Sequence, residues 1–397
     1  MRKATIIHRR SAMTNRYPIV LFLALLNFSH FALAAATATA AAATAAIPAA
    51  ADGFDIIVLG GQSNAVGFGD GPWEDELNLP SVNTHLFQIG RANNGCEHLD
   101  PWDQSPPAIY PAKDVLDNWF MSPCQPLAGP IGQLGATNVA MSFARRYYEN
   151  IGRQKNRDVL IVPAALGGSA SFLWWDERCP SPGCGVDTGF YEKLHVAEPL
   201  RHAKGLLFDL IQRVLLATTL APRNRVVALL WLQGESDLFC VSDSPRKFVN
   251  GNPCNQGGPL VLPQWSSAEW LIRTSAIFNE IHRETHSNFP ILVGGMVRSF
   301  TGWGRAGARL KEQMIADATR TFQPGNSFVT NAVYVPPPAE SRSTFEEFNL
   351  RPQLKKFANP KDPSQAVHFS NQSLQNYGRV MFEDYFSRIK SHAFVEF

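Results

Sequence analysis

Three apolar runs, each broken by a glycine-rich polar turn, constrain this chain more than any other feature. Ile56–Leu59 breaks at Gly60-Gly61 and is followed at once by Gln62-Ser63-Asn64. Val159–Ala165 runs into Leu166-Gly167-Gly168-Ser169, and Val226–Leu232 into Gln233-Gly234-Glu235-Ser236-Asp237. Short, continuously apolar, β-branched runs read as strands buried on both faces, which is the signature of a parallel sheet covered by helices. Open sheets of this kind bind ligands at the carboxyl ends of their strands. A serine on a tight turn off such an end, where a residue without Cβ turns easily, projects its hydroxyl above the sheet edge. Taken alone, Gln62-Ser63-Asn64 reads equally well as a β-turn whose side chains satisfy the backbone.

Further along, Pro290–Val297 and Ser327–Val335 read as a fourth and a fifth strand. Thr137–Tyr148, Glu198–Leu216, Ser266–Glu284, Ala306–Thr321 and Asn371–Ile389 read as helices. The alternation predicts an α/β fold with a central parallel sheet, built as a single domain over residues 53–397. Asp70–Gly135 and Leu238–Pro263 read as irregular insertions, of the kind that usually serve function.

Residues 1–35 have the pattern of a signal peptide. Arg2, Lys3, Arg9, Arg10 and Arg16 precede a short apolar stretch, Ile19–Leu26, with small residues around Ala32-Leu33-Ala34. Residues 36–52 are an Ala/Thr-rich linker with no apolar face to bury. A secreted or periplasmic location follows as an expectation, with no membrane association once the signal is cleaved. Six cysteines, Cys96, Cys124, Cys179, Cys184, Cys240 and Cys254, fit full pairing in an oxidising compartment. Local pairing would join Cys179 to Cys184 and Cys240 to Cys254, leaving Cys96 with Cys124. The formal net charge is only +2, with no basic cluster beyond the first residues, which argues against nucleic acid as a partner. Cys179-Pro-Ser-Pro-Gly-Cys184 does not read as a zinc knuckle, since no second Cys or His pair follows at ligand spacing.

Acyl transfer gives a reason to gather serine, glycine and carboxamides on one edge. It needs a nucleophile, a base and donors aimed at the developing oxyanion. Histidine is the base suited to neutral pH. Of ten histidines, His368 stands in a loop after the last strand, between apolar Val367 and Phe369.

At these positions the chain resembles a known family. Gly61-Gln62-Ser63-Asn64, Gly167-Gly168-Ser169, Gln233-Gly234-Glu235-Ser236-Asp237 and Val367-His368-Phe369-Ser370 are similar to the four blocks of the SGNH carbohydrate O-acetylesterases. That group includes the sialate O-acetylesterases and the family 6 acetylxylan esterases. The resemblance extends from about Phe54 to Phe386. The Leu99–Leu127 insertion and Ile161-Val162-Pro163 are most similar to bacterial sialate 9-O-acetylesterases. It implies an SGNH hydrolase fold, a flavodoxin-like three-layer sandwich, with no cofactor and no metal. It makes Ser63 the nucleophile and His368 its base. The oxyanion hole would be the N–H groups of Ser63 and Gly168 with the side chain of Gln233.

The family usually carries Asp three residues before the histidine, where this chain has Gln365. Gln365, Asp362 and Glu235 are the candidates for orienting His368. Asn64, Trp174 and Arg91 are the candidates for contacting substrate, with Arg178 and Arg298 as further cations and Trp102 and Trp175 as further ring-stacking surfaces. The implied function is hydrolysis of O-acetyl esters on a carbohydrate, with O-acetylated sialic acid first and acetylated xylan or another plant polysaccharide second. A non-catalytic glycan-binding protein on the same scaffold is the reading from another class.

Overall fold

The computed structural model describes residues 53–67, 84–91, 107–112, 116, 137–167, 169–175, 206–238, 266–300, 305–323, 329–343, 346 and 367–391. The signal segment, the linker and all six cysteines lie outside these residues. In chain order the strands are β1 (Phe54–Gly61), β2 (Leu86–Arg91), β3 (Pro107–Pro111), β4 (Asp158–Pro163), β5 (Arg225–Leu232), β6 (Ile291–Gly294) and β7 (Ala332–Val335). The helices are α1 (Ser63–Val66), α2 (Val139–Tyr147), α3 (Ser171–Trp174), α4 (Leu206–Thr219), α5 (Glu235–Leu238), α6 (Ser267–Thr285), α7 (Arg305–Thr321) and α8 (Asn371–Lys390).

The strands form one seven-stranded sheet in the order β3-β2-β4-β1-β5-β6-β7. Every pairing is parallel except β2 with β3. β1 is central, and its residues are buried along the whole strand. It pairs with β4 from Phe54 to Leu59 and with β5 from Asp55 to Gly61, so the carboxyl ends of β4, β1 and β5 stand side by side. The chain runs to one side of β1 for β2 and β4, then crosses it to build β5, β6 and β7. The direction of winding reverses at β1, which is where open sheets of this kind place their ligand crevice, outside the carboxyl ends of the strands.

Two apolar layers cover the sheet. α2 and α8 pack on each other through Phe143, Phe382, Tyr147 and Tyr385. Their axes approach closely at Gly378, where an added Cβ would lie 2.2 Å from the carbonyl oxygen of Val139. α4, α6 and α7 form the other layer, where Trp231 of β5 meets Phe278 of α6 edge-on at 5.5 Å. Three of the helices start at side-chain caps supplied by Asn138, Ser266 and Ser370.

The α/β class and the central sheet are as the sequence predicts. Two details differ. β2 and β3 lie inside the segment expected to be an irregular insertion, and β3 makes the sheet mixed. β3 begins and ends in proline, which cannot donate to a ladder on both sides, and this confines it to the edge. The helix expected from Glu198 is described only from Leu206 onward.

At the end of β1 remote from the crevice, Asp55 is completely buried. Arg157 Nε and Arg225 Nε donate to its carboxylate at 2.6 and 2.8 Å, and Tyr147 Oη donates at 2.7 Å. Arg157 also donates to the carbonyls of Phe54 and Arg223. Burial alone would raise the carboxyl pKa; the hydrogen bonds from Arg225 and Tyr147 and the two guanidinium charges hold it below its ordinary value. A depressed carboxylate pKa gives stability that is present above the unfolded-state value and lost as the pH falls through the folded-state value. Asp55→Ala leaves Arg157 buried without its counter-charge and is expected to cost about 3–5 kcal/mol in urea unfolding at pH 7, with a smaller deficit at acid pH.

Candidate active site

The site is built around the turn that leaves β1. Gly61 adopts φ 119°, and a Cβ there would stand 2.1 Å from the carbonyl oxygen of Leu232. This close approach lets the Gln62 N–H donate to that oxygen at 2.8 Å. The turn after β1 is thereby stitched to the end of β5, and no side chain other than hydrogen fits at Gly61. The chain then enters α1 with Ser63 as its first residue, 7% exposed. As a first-turn residue, Ser63 has a backbone N–H with no intrahelical acceptor. Among the described residues, neither that N–H nor the Ser63 hydroxyl is hydrogen-bonded to protein.

The residues on either side of Ser63 are held by one buried carboxylate. Gln62 Nε2 donates to Glu235 Oε2 and Asn64 Nδ2 donates to Glu235 Oε1, each at 2.6 Å. Gln62 Oε1 accepts from the Ser236 N–H at 3.1 Å. Burial pushes the Glu235 pKa up to about 7; the hydrogen bond from Asn64 and the charge of Lys311 restrain that rise, while the charge of Asp237 adds to it. Lys311 is itself buried, with Nζ donating to the carbonyls of Val297, Arg298 and Phe300, and desolvation lowers its pKa to about 8.

His368 reaches this turn through Asn64. Asn64 Nδ2 donates to the Val367 carbonyl and the Phe369 N–H donates to Asn64 Oδ1, both at 3.1 Å. One carboxamide thus grips the backbone on both sides of His368, 303 and 305 positions away in sequence. The loop is fixed further by the Ser370 N–H on the Arg342 carbonyl and by the Ser370 hydroxyl capping α8. The imidazole keeps partial solvent exposure, yet desolvation lowers its pKa to about 4, so it is neutral at pH 7.

A second buried carboxylate on α5 holds the loop after β4. Asp237 accepts from the Ser171 hydroxyl at 2.5 Å, from the Ser171 N–H, and from Gln233 Nε2. Burial raises its pKa to about 6. Gln233 Nε2 also donates to the Ser169 carbonyl at 3.3 Å, and Gln233 Oε1 accepts from Trp270 Nε1 at 3.0 Å.

Several sequence expectations change here. Asn64, expected to touch substrate, is fully buried with its carboxamide committed to Glu235 and the His368 loop. Gln233, expected to donate into an oxyanion hole, has both amide hydrogens engaged by Ser169 and Asp237. Trp174, expected as a ring-stacking surface, is core: it donates to the Ser169 hydroxyl at 2.9 Å and packs edge-on against Trp231. Arg298 donates to the Pro337 carbonyl. Among the described residues Glu235 is joined to the His368 loop through Asn64, and it ties the turn both by its own backbone N–H and by the side-chain amides of Gln62 and Asn64. Arg91 ends β2, but its side chain, together with Gly168, Gln365, Asp362, Arg178 and Trp102, lies outside the described residues. Gln62, Ser171, Asp237 and Lys311 carry bonds that sequence reasoning missed. For Gln62 and Asp237 the available signal was their place in the strand-end turns.

Residues 53–246 match the family described as carbohydrate esterase, sialic acid-specific acetylesterase. A protein of Escherichia coli (strain K12) named "Probable 9-O-acetyl-N-acetylneuraminic acid deacetylase" is 28% identical over 200 residues, which cover 47% of this chain and 55% of that protein. The alignment thus spans about half the length of that relative. The crystal structure of NanS superposes with a TM-score of 0.55 at 18% identity, covering 86% of this chain and 98% of NanS, and so shares its fold. Residues 53–246, which carry three of the four strand-end and loop blocks, are thus similar to the sialate O-acetylesterase-like carbohydrate esterases.

Proposed function

We propose that the chain is a serine esterase that removes O-acetyl groups from carbohydrate, with sialic acid acetylated on its glycerol side chain as the substrate class. The observation that carries the reading is the grip of Asn64 on both sides of His368, one residue from Ser63 at the end of the central strand. Ser63 Oγ attacks the acetyl carbonyl carbon while His368, neutral at pH 7, takes the hydroxyl proton. The carbonyl oxygen becomes an oxyanion, for which the uncommitted N–H of Ser63 is a donor, joined in this reading by Gly168. Collapse expels the sugar hydroxyl, which receives the proton from His368, and leaves acetyl-Ser63. Water, deprotonated by His368, then releases acetate. The family match over residues 53–246 and the name of the E. coli relative support the sialate substrate. Residues 1–35 support export of the chain.

Ser63→Ala is expected to lower kcat for acetate release by several orders of magnitude without shifting the thermal unfolding midpoint. Near wild-type turnover in the purified variant would remove the nucleophile assignment. Wild-type protein given O-acetylated sialic acid and acetylated xylan side by side is expected to prefer the former, read as kcat/KM; the opposite preference overturns the substrate class.

Gln233→Ala is expected to lower stability as well as kcat, because it takes one of its donors from the buried Asp237 carboxylate and leaves the buried Trp270 N–H without its acceptor. The cost is roughly 1–3 kcal/mol by urea unfolding. A variant of unchanged stability with kcat alone reduced would restore Gln233 to the oxyanion hole.

A further inference from the structure

Ser63 and His368 come from segments 305 positions apart. Nothing in the local structure of either sets the distance between them. The bonds that connect them run through Asn64 and end on Glu235. We propose that Glu235 and Asn64 form a positioning relay, in which the Glu235 carboxylate fixes the Asn64 carboxamide and the carboxamide sets where His368 stands relative to Ser63. The proposal rests on the esterase reading above.

The polarity of the relay is determined by its chemistry. Asn64 Nδ2 has two hydrogens, spent on Glu235 and on the Val367 carbonyl, and its oxygen is spent on the Phe369 N–H. Flipping the carboxamide would place N–H against N–H at Phe369 and carbonyl against carbonyl at Val367. Asn64 therefore has one workable orientation, and in that orientation it presents a donor to residue 235. Gln62 presents a second donor to the other carboxylate oxygen. A carboxylate is the acceptor-only group that satisfies both donors. Protonation of Glu235 would direct an O–H at one of them.

The relay should therefore weaken on acidification. Among the described residues, the other titratable groups facing Glu235 are Asp237 on the same helix, Lys311 from α7 and Tyr377 from α8. The His368 loop is joined to it through Asn64. The carboxylate sits at about 7, whereas His368 titrates at about 4, so the two leave separate inflections in an acid limb.

The test is a polarity swap, with each variant's fold checked by unfolding and its kcat, KM and pH profile measured on an acetyl ester. Asn64→Asp sets carboxylate against carboxylate. Glu235→Gln sets amide against amide. Each is expected to lower kcat by on the order of 100-fold, with KM within about twofold of wild type. In the double variant the carboxamide introduced on α5 donates to the carboxylate introduced beside Ser63 and accepts from Gln62, while the Val367 carbonyl loses its donor and faces a carboxylate oxygen, so the rescue is incomplete. Its kcat is expected to return to within about tenfold of wild type. Wild-type kcat/KM is expected to inflect near pH 7, and Glu235→Gln is expected to lose that inflection and keep the one at lower pH. Additive losses in the double variant, or an inflection near pH 7 that persists in Glu235→Gln, overturn the relay while leaving the esterase reading in place. A wild-type protein that releases no acetate from any acetyl ester overturns the esterase reading, and the relay with it.

Discussion

The hydrogen bonds between the buried Glu235 carboxylate and the side-chain amides of Gln62 and Asn64 are the contact on which the crevice edge depends. An ionised group taken out of water is costly unless charge-matched or hydrogen-bonded, and here each oxygen accepts from an amide at 2.6 Å. The residue between those amides is Ser63. The same arrangement clamps the exit of β1, orders the exit of β5 and, through the rest of the Asn64 carboxamide, reaches the His368 loop before α8. Two residues further along α5, Asp237 does the equivalent for the loop after β4. The turn after β5 thus works as a hub whose two carboxylates serve different neighbours.

β1 carries this organisation through the molecule. Its middle is apolar and sealed between β4 and β5. Its start is fixed by Asp55 among Arg157, Arg225 and Tyr147, and its end by Glu235 acting on Gln62 and Asn64. The two ends use charge differently. At the start, guanidinium groups match the carboxylate and hold it ionised. At the crevice, neutral amides hold the carboxylates and burial pushes their pKa values toward neutrality. A group poised near neutral pH in a cleft beside a serine and a histidine is the pattern of a functional site, whereas the matched cluster at the far end reads as structural.

The strands with side chains buried on both faces were legible, because burial on both faces demands unbroken apolar sequence, as in Ile56–Leu59 and Val226–Leu232. β2 was hidden because Gln88 and Gly90 interrupt its apolar character, and β3 because its flanking prolines read as loop. The same contrast holds at the site. Ser63 and His368 stood out because their neighbourhoods, a strand-end turn and a late loop, are local features. Asn64 and Trp174 were misread as contacts for substrate, since nothing in their immediate sequence tells a polar or aromatic side chain that lines a crevice from one buried beneath it.

By itself, then, the sequence determined the α/β class and the edge of the sheet that carries the polar turns, both of which follow from residue type and periodicity within a short window. Ser63 and His368 were singled out by the resemblance of their blocks to a known family. Only the tertiary structure decided which side chains answer one another: Asn64 with Val367 and Phe369, Glu235 with Gln62 and Asn64, Gln233 with Asp237. Apart from the last pair, these partners lie more than 170 positions apart. A carboxamide or a carboxylate has the same local signature whether it faces water or another buried group, and its role is fixed only once the fold has removed the water and supplied the partner.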